Sequence, residues 1–435
     1  MTDIEPPSVA RPAQPVARVM LLMSPATYRA SAFLEAARLL NIDAVTIVDM
    51  PDKLSDYWQH ANGVAFGDLE EASARIVSLD RRDPVDALLA VDDSAAELAA
   101  RVGAALGLIH NDPSAALAAR DKFIMRSTLS AAGVRCPPFR ALDSSIDPAS
   151  VASLQSYPCV VKPLRLSGSR GVIRADDAEE FIRAFDRLCR ILRGDGEQMT
   201  EATILVEEYL PGDEVALEGL LTNGELQVLA LFDKPDPLVG PFFEETIYTT
   251  PSRHSSAIQD AIARETEAAA RALGLRHGPL HAELRVNESG PWILEVAGRS
   301  IGGLCSTILS FGSGMSLEEL ILRHAVGLDI QSFDRDGEAA GVMMIPIPRS
   351  GLLRCVDGVD TALQVEHIDA VEITAKLNYP IVPLPEGASY LGFIFARAGD
   401  PADVEHALRA AHERLRIRID PMVSMATVTA PANAE

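Results

Sequence analysis

Residues 281–299, HAELRVNESGPWILEVAGR, decide the fold because they predict two strands joined as a hairpin. The intervening residues 288–290 predict a three-residue loop that ends in glycine, where a positive φ is needed. With that loop, Glu283 faces Glu295 across the two strands. Directly opposed carboxylates, with Cβ atoms about 5 Å apart, repel each other and weaken a sheet. The predicted pairing therefore calls for an explanation.

A divalent cation between the two glutamates would remove this repulsion, because Mg²⁺ is commonly held by one or two carboxylates together with substrate phosphates. Three alternatives stay open from the hairpin alone: a register shifted by one residue, an exposed edge where both side chains diverge into water, or neutralisation by Arg285 on the same face. Arg299 follows four residues after Glu295, and its planar fork suits a carboxylate or a phosphate.

The length and composition limit the class of protein. A chain of 435 residues is long enough for two or three domains, and 48% hydrophobic residues indicate buried cores. The 39 basic and 62 acidic residues give a net charge of −23, which argues against nucleic acid or an anionic membrane as a partner. No apolar run approaches the roughly 18 residues that span a bilayer.

The cysteines and the N-terminal residues indicate the compartment. The five cysteines are scattered without a C-x-x-C pair, which argues against a zinc site or a disulfide framework and favours a reducing compartment. Residues 1–17 are rich in proline and lack the apolar core of a signal peptide, so we expect a disordered tail. The prediction is a cytoplasmic protein.

Strands and helices alternate in residues 18–112 and predict a parallel-sheet α/β domain. The predicted strands are 18–24, 43–49 and 86–93, and the predicted helices are 28–41 and 94–107. Ser94 and Gly107 are the expected caps of the second helix. The first strand is not followed by G-x-G-x-x-G, which leaves little support for a dinucleotide site there.

The rest of the chain predicts two α+β domains, at 113–328 and 329–435. The first has two short helices that end at Gly133, followed by a strand-rich stretch that includes an Asn223-Gly224 hairpin. In the second, the predicted elements are strands at 341–347 and 390–397 and a helix near 401–414.

A lysine and a glycine-rich loop suggest a phosphate site in VVKPLRLSGSRGV, residues 160–172. Lys162 ends an apolar strand, and the backbone N–H groups of the following loop can approach phosphate oxygens closely. The motif is not a Walker A loop, which has its lysine after the last glycine. A plain turn beside a solvated lysine is the alternative.

Three weaker motifs accompany this one. LVEEYLPGDEVALE, residues 205–218, runs from an apolar strand into an acidic turn, where Glu214 can accept from ribose hydroxyls or face water. RDKFIMR places Lys122 and Arg126 on one helical face, where they reach either phosphates or solvent. The proline- and aromatic-rich residues 233–252 form either a substrate loop or an ordered connection.

The order of these motifs resembles the ATP-grasp superfamily. The matching features are Lys122, Lys162 with its glycine-rich loop, VEEYLPGDE, and Glu283 and Glu295 with Arg299 in EVAGRSIGG. The resemblance covers residues 113–328 and implies an ATP-grasp architecture of mixed α/β and α+β class. That architecture has an N-terminal parallel-sheet α/β domain, a central ATP-grasp domain and a small C-terminal α+β domain. The implied cofactors are ATP and Mg²⁺, with Mn²⁺ as a substitute.

The resemblance also implies roles for individual residues. The residues expected to bind ATP are Lys122, Lys162, Ser167, Gly168, Ser169, Gly171, Val172, Glu207, Leu210 and Glu214. Within this set the two lysines contact phosphates, and loop 167–172 closes over them. Glu207 and Leu210 meet adenine through their backbone groups, and Glu214 binds the ribose.

Glu283 and Glu295 are the implied metal ligands, and Arg299 and Lys162 are the implied catalytic residues. One position departs from the family pattern: Ala297 stands where many members carry an asparagine that supplies a further oxygen to the metal. EVAGR instead resembles L-amino-acid ligases, which makes amino acids the expected substrates.

The implied reaction activates a carboxylate as an acyl phosphate, which an amine then attacks to form an amide or dipeptide. The implied partners are a small-molecule carboxylate and amine, and a homodimer is the default oligomer. Two rivals stay open, a bicarbonate-dependent, carboxylase-like enzyme and a non-catalytic ATP-binding module. The residues expected to line the substrate pocket are His281, Phe243, Glu244 and Glu245.

Overall fold

The computed structural model describes residues 15–51, 54, 62–194 and 202–422. Most of the predicted tail, residues 1–17, lies outside the described residues, and its last residue, Ala17, begins the first strand. Within the described ranges, no helix has both the length and the apolar character that crossing a bilayer requires.

The N-terminal residues form the predicted parallel α/β domain. Its elements are β1 Ala17–Met23, α1 Ala30–Leu39, β2 Ile42–Asp49, β3 Gly63–Val64, α2 Leu69–Asp80, β4 Ala87–Ala90 and α3 Asp93–Leu106. The strands pair in parallel in the order β3-β2-β1-β4. Gly107 ends α3 in the left-handed conformation, as predicted, but Ser94 is not the N-cap. Asp92 has the extended backbone of that position, so Ser94 lies inside the first turn.

The central part of the chain builds two antiparallel sheets. Its elements are α4 Pro113–Arg120, α5 Lys122–Ala131, β5 Phe139–Asp143, α6 Pro148–Val151, β6 Cys159–Pro163, β7 Ile173–Ala175, α7 Ala178–Gly194, β8 Thr203–Glu208, β9 Asp213–Thr222, β10 Glu225–Lys234, β11 Ile247–Thr250, α8 Ser256–Leu273, β12 Gly278–Asn287 and β13 Gly290–Ala297. The smaller sheet has the order β5-β8-β6-β7. Phe181, Phe185 and Leu188 recur at helical spacing on α7 and share a buried core with this sheet.

The C-terminal part extends the larger sheet. Its elements are β14 Ser310–Phe311, β15 Met315–Ser316, α9 Leu317–Ala325, β16 Ala339–Ile345, β17 Gly351–Asp357, α10 Val359–Ala362, β18 Ile368–Ile373, β19 Pro380–Ile381, β20 Gly392–Ala398, α11 Pro401–His412 and β21 Arg416–Asp420. The larger sheet has the order β13-β12-β9-β10-β11-β16-β20-β18, so it crosses the predicted boundary at residue 329. The domain boundaries stay predictions. A three-stranded sheet, β19-β17-β21, lies apart from it.

The hairpin of β12 and β13 pairs Glu283 with Glu295, as predicted, but through a different turn. Asn287 pairs with Gly290, which leaves a two-residue turn, so the predicted three-residue loop is wrong. The register then shifts next to Glu283, where Leu294 is an extra residue in β13 and forms a bulge. The shorter turn and the bulge offset each other, and the two glutamates still face one another.

Candidate active site

A cavity of about 450 Å³ lies between the two sheets of the central part, a size common for small-molecule sites. Of the residues predicted to bind ATP or metal or to act in catalysis, only Gly171 does not line it. Gly171 supports the loop instead. It has a φ of +73°, and an added Cβ would lie 2.9 Å from Leu188, so this turn requires glycine.

The two predicted phosphate-binding lysines are buried at one end of the cavity. Lys122 begins α5, and its Nζ donates to the Leu166 carbonyl over 3.0 Å and lies 3.3 Å from Glu295. Lys162 lies on β6, with its Nζ 2.7 Å from Glu207. Both ammonium groups therefore have carboxylate partners that offset the cost of their burial.

Arg126 is a third cation beside the lysines, and it is fully buried. Its Nε lies 2.7 Å from Glu207, and a terminal nitrogen donates to the Leu294 carbonyl over 2.5 Å. Arg126 thus joins β8 to the bulge of the hairpin. Burial raises the pKa of Glu207, but Arg126 and Lys162 lower it by more, so the net shift is downward. The Glu207 carboxylate orients two cations, a role that was not predicted from the sequence.

A segment of the C-terminal part holds the glycine-rich loop. The Gly171 N–H donates to the Pro385 carbonyl over 2.9 Å, and Arg170 donates to the Glu386 carbonyl over 2.7 Å. The Glu386 carboxylate accepts from Arg187 on α7 over 2.7 and 2.9 Å. The glycine-rich loop and helix α7 therefore both form hydrogen bonds with residues 385–386.

An apolar slot lies where β6 and β7 approach the larger sheet. The residues that pack together there are Val160, Val172, Tyr209, Leu238 and Phe243. The rings of Tyr209 and Phe243 are stacked with centroids 6.3 Å apart, and the Arg174 guanidinium lies 4.1 Å over Tyr209. Of the packed side chains, all but Leu238 also line the cavity, and their apolar and aromatic surfaces suit a flat ring such as adenine.

Glu283 and Glu295 belong to different charge clusters. The Lys234 Nζ lies 2.9 Å from Glu283, 2.8 Å from Glu214 and 2.5 Å from Glu245. These three glutamates each offer an oxygen within 4.8 Å of the others. We call Glu214, Glu245 and Glu283 the acid cluster. Glu295 is paired with the lysine at the start of α5 instead.

The carboxylates fit a hard divalent cation. Glu283 and Glu295 present oxygens from adjacent strands, and oxygen ligands are those that Mg²⁺ prefers. Burial raises the pKa of Glu283, but Lys234 and His281 lower it by more, to well below its usual range. Burial and the Glu283 carboxylate raise the pKa of Glu245 to about 7. The predicted metal ligand Glu283 is therefore ionised at neutral pH.

Arg299 lines the cavity and forms an ion pair with a residue of the N-terminal domain. Its Nε and one terminal nitrogen donate to the two oxygens of Asp93 over 2.8 and 2.6 Å. Burial lowers the pKa of Arg299, but Asp93 raises it by more. Asp93 is the first residue of α3, so the predicted catalytic arginine depends on a helix of another domain.

His281 faces Glu218 inside the cavity wall. Its Nδ1 is hydrogen-bonded to the Glu218 carboxylate, which also accepts from the Ile301 N–H over 3.0 Å. Burial lowers the pKa of His281, but Glu218 and Glu283 raise it by more, to about 9. Of the residues expected to line the substrate pocket, the cavity wall includes His281, Phe243 and Glu245 but not Glu244.

Ala297 lies outside the main cavity. It is buried and lines a separate small recess with Asn111, Arg120 and Gly298. A methyl group supplies no ligand oxygen, so any metal bound in the cavity takes its protein oxygens from other residues.

Residues 155–308 match the ATP-grasp domain family. The chain carries an ATP-grasp domain. A second region, residues 343–420, matches the family described as L-amino acid ligase C-terminal domain 2. The two matches fall on the central part and the C-terminal part of the fold, and both regions contribute residues to the cavity wall.

Solved structures and curated proteins agree with these matches. The crystal structure of an L-amino acid ligase from Bacillus licheniformis superposes with a TM-score of 0.79 at 25% identity, covering 93% of this chain and 99% of that chain. An alanine–anticapsin ligase of Bacillus subtilis is 26% identical over 309 residues, which is 67% of this chain and 63% of that ligase. An uncharacterized protein y4rH of Sinorhizobium fredii is 25% identical over 420 residues, covering 96% of this chain and 86% of the relative. These likenesses relate the chain to ATP-grasp ligases, among them ligases of amino acids.

Proposed function

We propose that the protein is an ATP- and Mg²⁺-dependent ligase that activates a carboxylate as an acyl phosphate and joins it to the amino group of an amino acid. The product is an amide or dipeptide. The observation that carries this proposal is a single cavity whose wall includes Lys122 and Lys162 together with the facing residues Glu283 and Glu295.

The cavity offers a place for each part of ATP. Adenine occupies the apolar slot beside Tyr209, with the backbone at Glu207 and Leu210 along its edge. The triphosphate runs past Lys162 and Lys122. Its β- and γ-phosphates then reach the hairpin, and the glycine-rich loop and residues 233–252 are the candidate lids.

The reaction proceeds in two steps. An oxygen of the substrate carboxylate attacks the γ-phosphorus, the bond to ADP breaks, and an acyl phosphate forms. The amine then attacks the acyl carbon, and phosphate leaves with one oxygen of the original carboxylate while the amine loses a proton. Bound Mg²⁺, held by Glu283 and Glu295, would offset charge on the phosphates.

Lysine and arginine side chains of the protein also stabilise the phosphate that is transferred and the intermediates that follow. Lys122 and Lys162 hold the oxygens of the transferring group, and Arg299, fixed by Asp93, stabilises the acyl phosphate and the tetrahedral species that follows. Closure of the candidate lids over the cavity would exclude water, which would otherwise hydrolyse the intermediate. A cytoplasmic location and a homodimer also stay predictions.

The direct test is a screen of ADP release by the purified protein against pairs of amino acids, with and without bicarbonate. We expect ADP release that depends on both amino acids and is indifferent to bicarbonate. Glu295→Gln should lose this activity and stay folded, whereas Glu288→Gln, at an exposed site in the turn of the same hairpin, should keep it. Release that depends on bicarbonate alone, or full activity in Glu295→Gln, would contradict the proposal.

A further inference from the structure

One part of the cavity wall, next to the acid cluster, is built from large aromatic and sulfur-containing side chains, and we call it the recess. The side chains that line it are Tyr28, Tyr248, Cys305, Met344 and Tyr390. They come from the N-terminal domain, from the larger sheet, from the segment after β13 and from the loop before β20. A surface assembled from such distant segments forms only in the complete fold.

These residues belong to, or pack against, one apolar cluster of the fold. The rings of Tyr28 and Tyr390 pack on Phe393, with centroids 5.4 and 6.3 Å away, and Phe393 is fully buried. The Cys305 Sγ lies 3.9 Å from the Met344 Sδ. Phe393 is therefore the floor of the recess, and three tyrosines and two sulfur-containing side chains are its sides.

The charged groups beside the recess already have partners. Arg29 lines the cavity, but its guanidinium is paired with the buried Glu318 at 2.6 Å and lies 5.0 Å from the Phe33 ring. Lys234 lies 4.9 Å from the Tyr248 ring centroid and is held by the acid cluster. A polar side chain placed in the recess would give up water for an apolar wall, at a cost in free energy.

Of two neighbouring glycines beside the recess, only Gly302 leaves space for a ligand. Gly302 and Gly303 both line the cavity. An added Cβ at Gly302 would meet no atom within 4 Å, whereas one at Gly303 would lie 3.1 Å from the Phe393 ring. Gly303 thus packs on the floor, and the missing side chain at Gly302 leaves room for part of a ligand.

We propose that this recess receives the side chain of an amino-acid substrate and selects large apolar or aromatic side chains. The inference rests on the proposed function, because the acid cluster beside the recess is where an ammonium group would bind. Burying a side chain of this size favours binding by roughly ten- to hundred-fold over a polar side chain of similar shape.

The first test compares amino acids of matched shape. Calorimetry of the full chain with Mg²⁺ and a non-hydrolysable ATP analogue would measure L-leucine against L-asparagine and L-methionine against L-glutamine. We expect the apolar member of each pair to bind at least about ten-fold more tightly. Equal or tighter binding of the polar members, or no binding of any of the four, would overturn the inference. Tight leucine binding without ADP release would instead contradict the ligase activity alone.

The second test fills the space at Gly302. Gly302→Leu should weaken methionine binding at least about ten-fold while alanine binding changes little, because the new side chain occupies the mouth of the recess. Gly399→Leu is the matched control, since Gly399 also has open space around an added Cβ and does not line the cavity. Unchanged methionine binding in a folded Gly302→Leu protein would contradict the placement of the substrate side chain.

Discussion

Glu283 and Glu295 face each other on adjacent strands, and each is held by a lysine from a different part of the chain. The Lys234 Nζ lies 2.9 Å from Glu283, and the Lys122 Nζ lies 3.3 Å from Glu295. Lysines therefore offset the repulsion between the two carboxylates. Arg285, the neutralising residue considered from the sequence, forms its ion pair elsewhere, with a carboxylate of β9.

Replacing Lys234 by methionine should destabilise the fold. The substitution leaves the acid cluster without its buried counter-charge, and removing one partner of a buried ion pair costs about 3 kcal/mol or more. Excess Mg²⁺ should restore more stability to Lys234→Met than it adds to the wild type, because a cation that binds only the folded state stabilises it. Urea unfolding at neutral pH, with and without Mg²⁺, measures both effects.

Lys376→Met is the control for this substitution. Lys376 is exposed, with its Nζ 5.7 Å from the Tyr379 ring centroid, so its loss should change the free energy of unfolding by less than about 1 kcal/mol. Equal stabilities for Lys234→Met and the wild type, or the same Mg²⁺ effect on both, would refute the role given to Lys234.

Asp93→Asn should reduce both stability and activity. Burial raises the pKa of Asp93, but Arg299 lowers it by more, so the folded-state pKa lies below the unfolded value of about 4. Its ionised form then stabilises the fold above that pH, and this contribution is lost as the pH falls through the folded pKa. The wild type should exceed the variant by about 2 kcal/mol at neutral pH, and the difference should shrink below about pH 4.

Urea unfolding of both proteins across this pH range is the measurement, together with kcat/KM at neutral pH. The loss in kcat/KM should be at least about ten-fold, because Arg299 loses its fixed orientation. Asp369→Asn is the control: Asp369 forms a more exposed pair with Arg397 at 3.0 Å, and such pairs contribute less than about 1 kcal/mol. A stability difference that does not depend on pH would contradict the assignment.

Glu386→Gln should weaken ATP binding with little effect on stability. The carboxylate holds Arg187 on the helix that backs the glycine-rich loop, yet both side chains are partly exposed, so the pair adds little to folding. We expect a several-fold rise in the KM for ATP and a near-unchanged melting temperature. Glu179→Gln, which removes an exposed partner of Arg183 on the same helix, should change neither. An unchanged KM for ATP in Glu386→Gln would show that the loop does not depend on this contact.

Features that depend on neighbours in sequence were predictable. The alternation of strand and helix patterns predicted the N-terminal domain, and Gly107 marked the end of α3. Asn223 and Gly224 form the predicted turn with φ values of +55° and +92°. In each case the local backbone conformation favours one residue type, so a short stretch of sequence is enough to predict the feature.

Features that depend on distant residues were not predictable in the same way. Lys234 and Asp93 were missed because their partners Glu283 and Arg299 lie 49 and 206 residues away. A lysine at the end of the apolar run LQVLALFDK was the available signal for the first, and nothing local marked the second. Helix α7 was also not predicted, although its apolar residues recur at helical spacing.

The central claim is that the substrate carboxylate is activated as an acyl phosphate. It is tested most directly by supplying an amino acid with ¹⁸O in its carboxylate and analysing the released inorganic phosphate by mass spectrometry. The mechanism predicts one ¹⁸O atom in each phosphate formed together with product, because the oxygen that attacks the γ-phosphorus leaves with it. Product formed with unlabelled phosphate would contradict the mechanism.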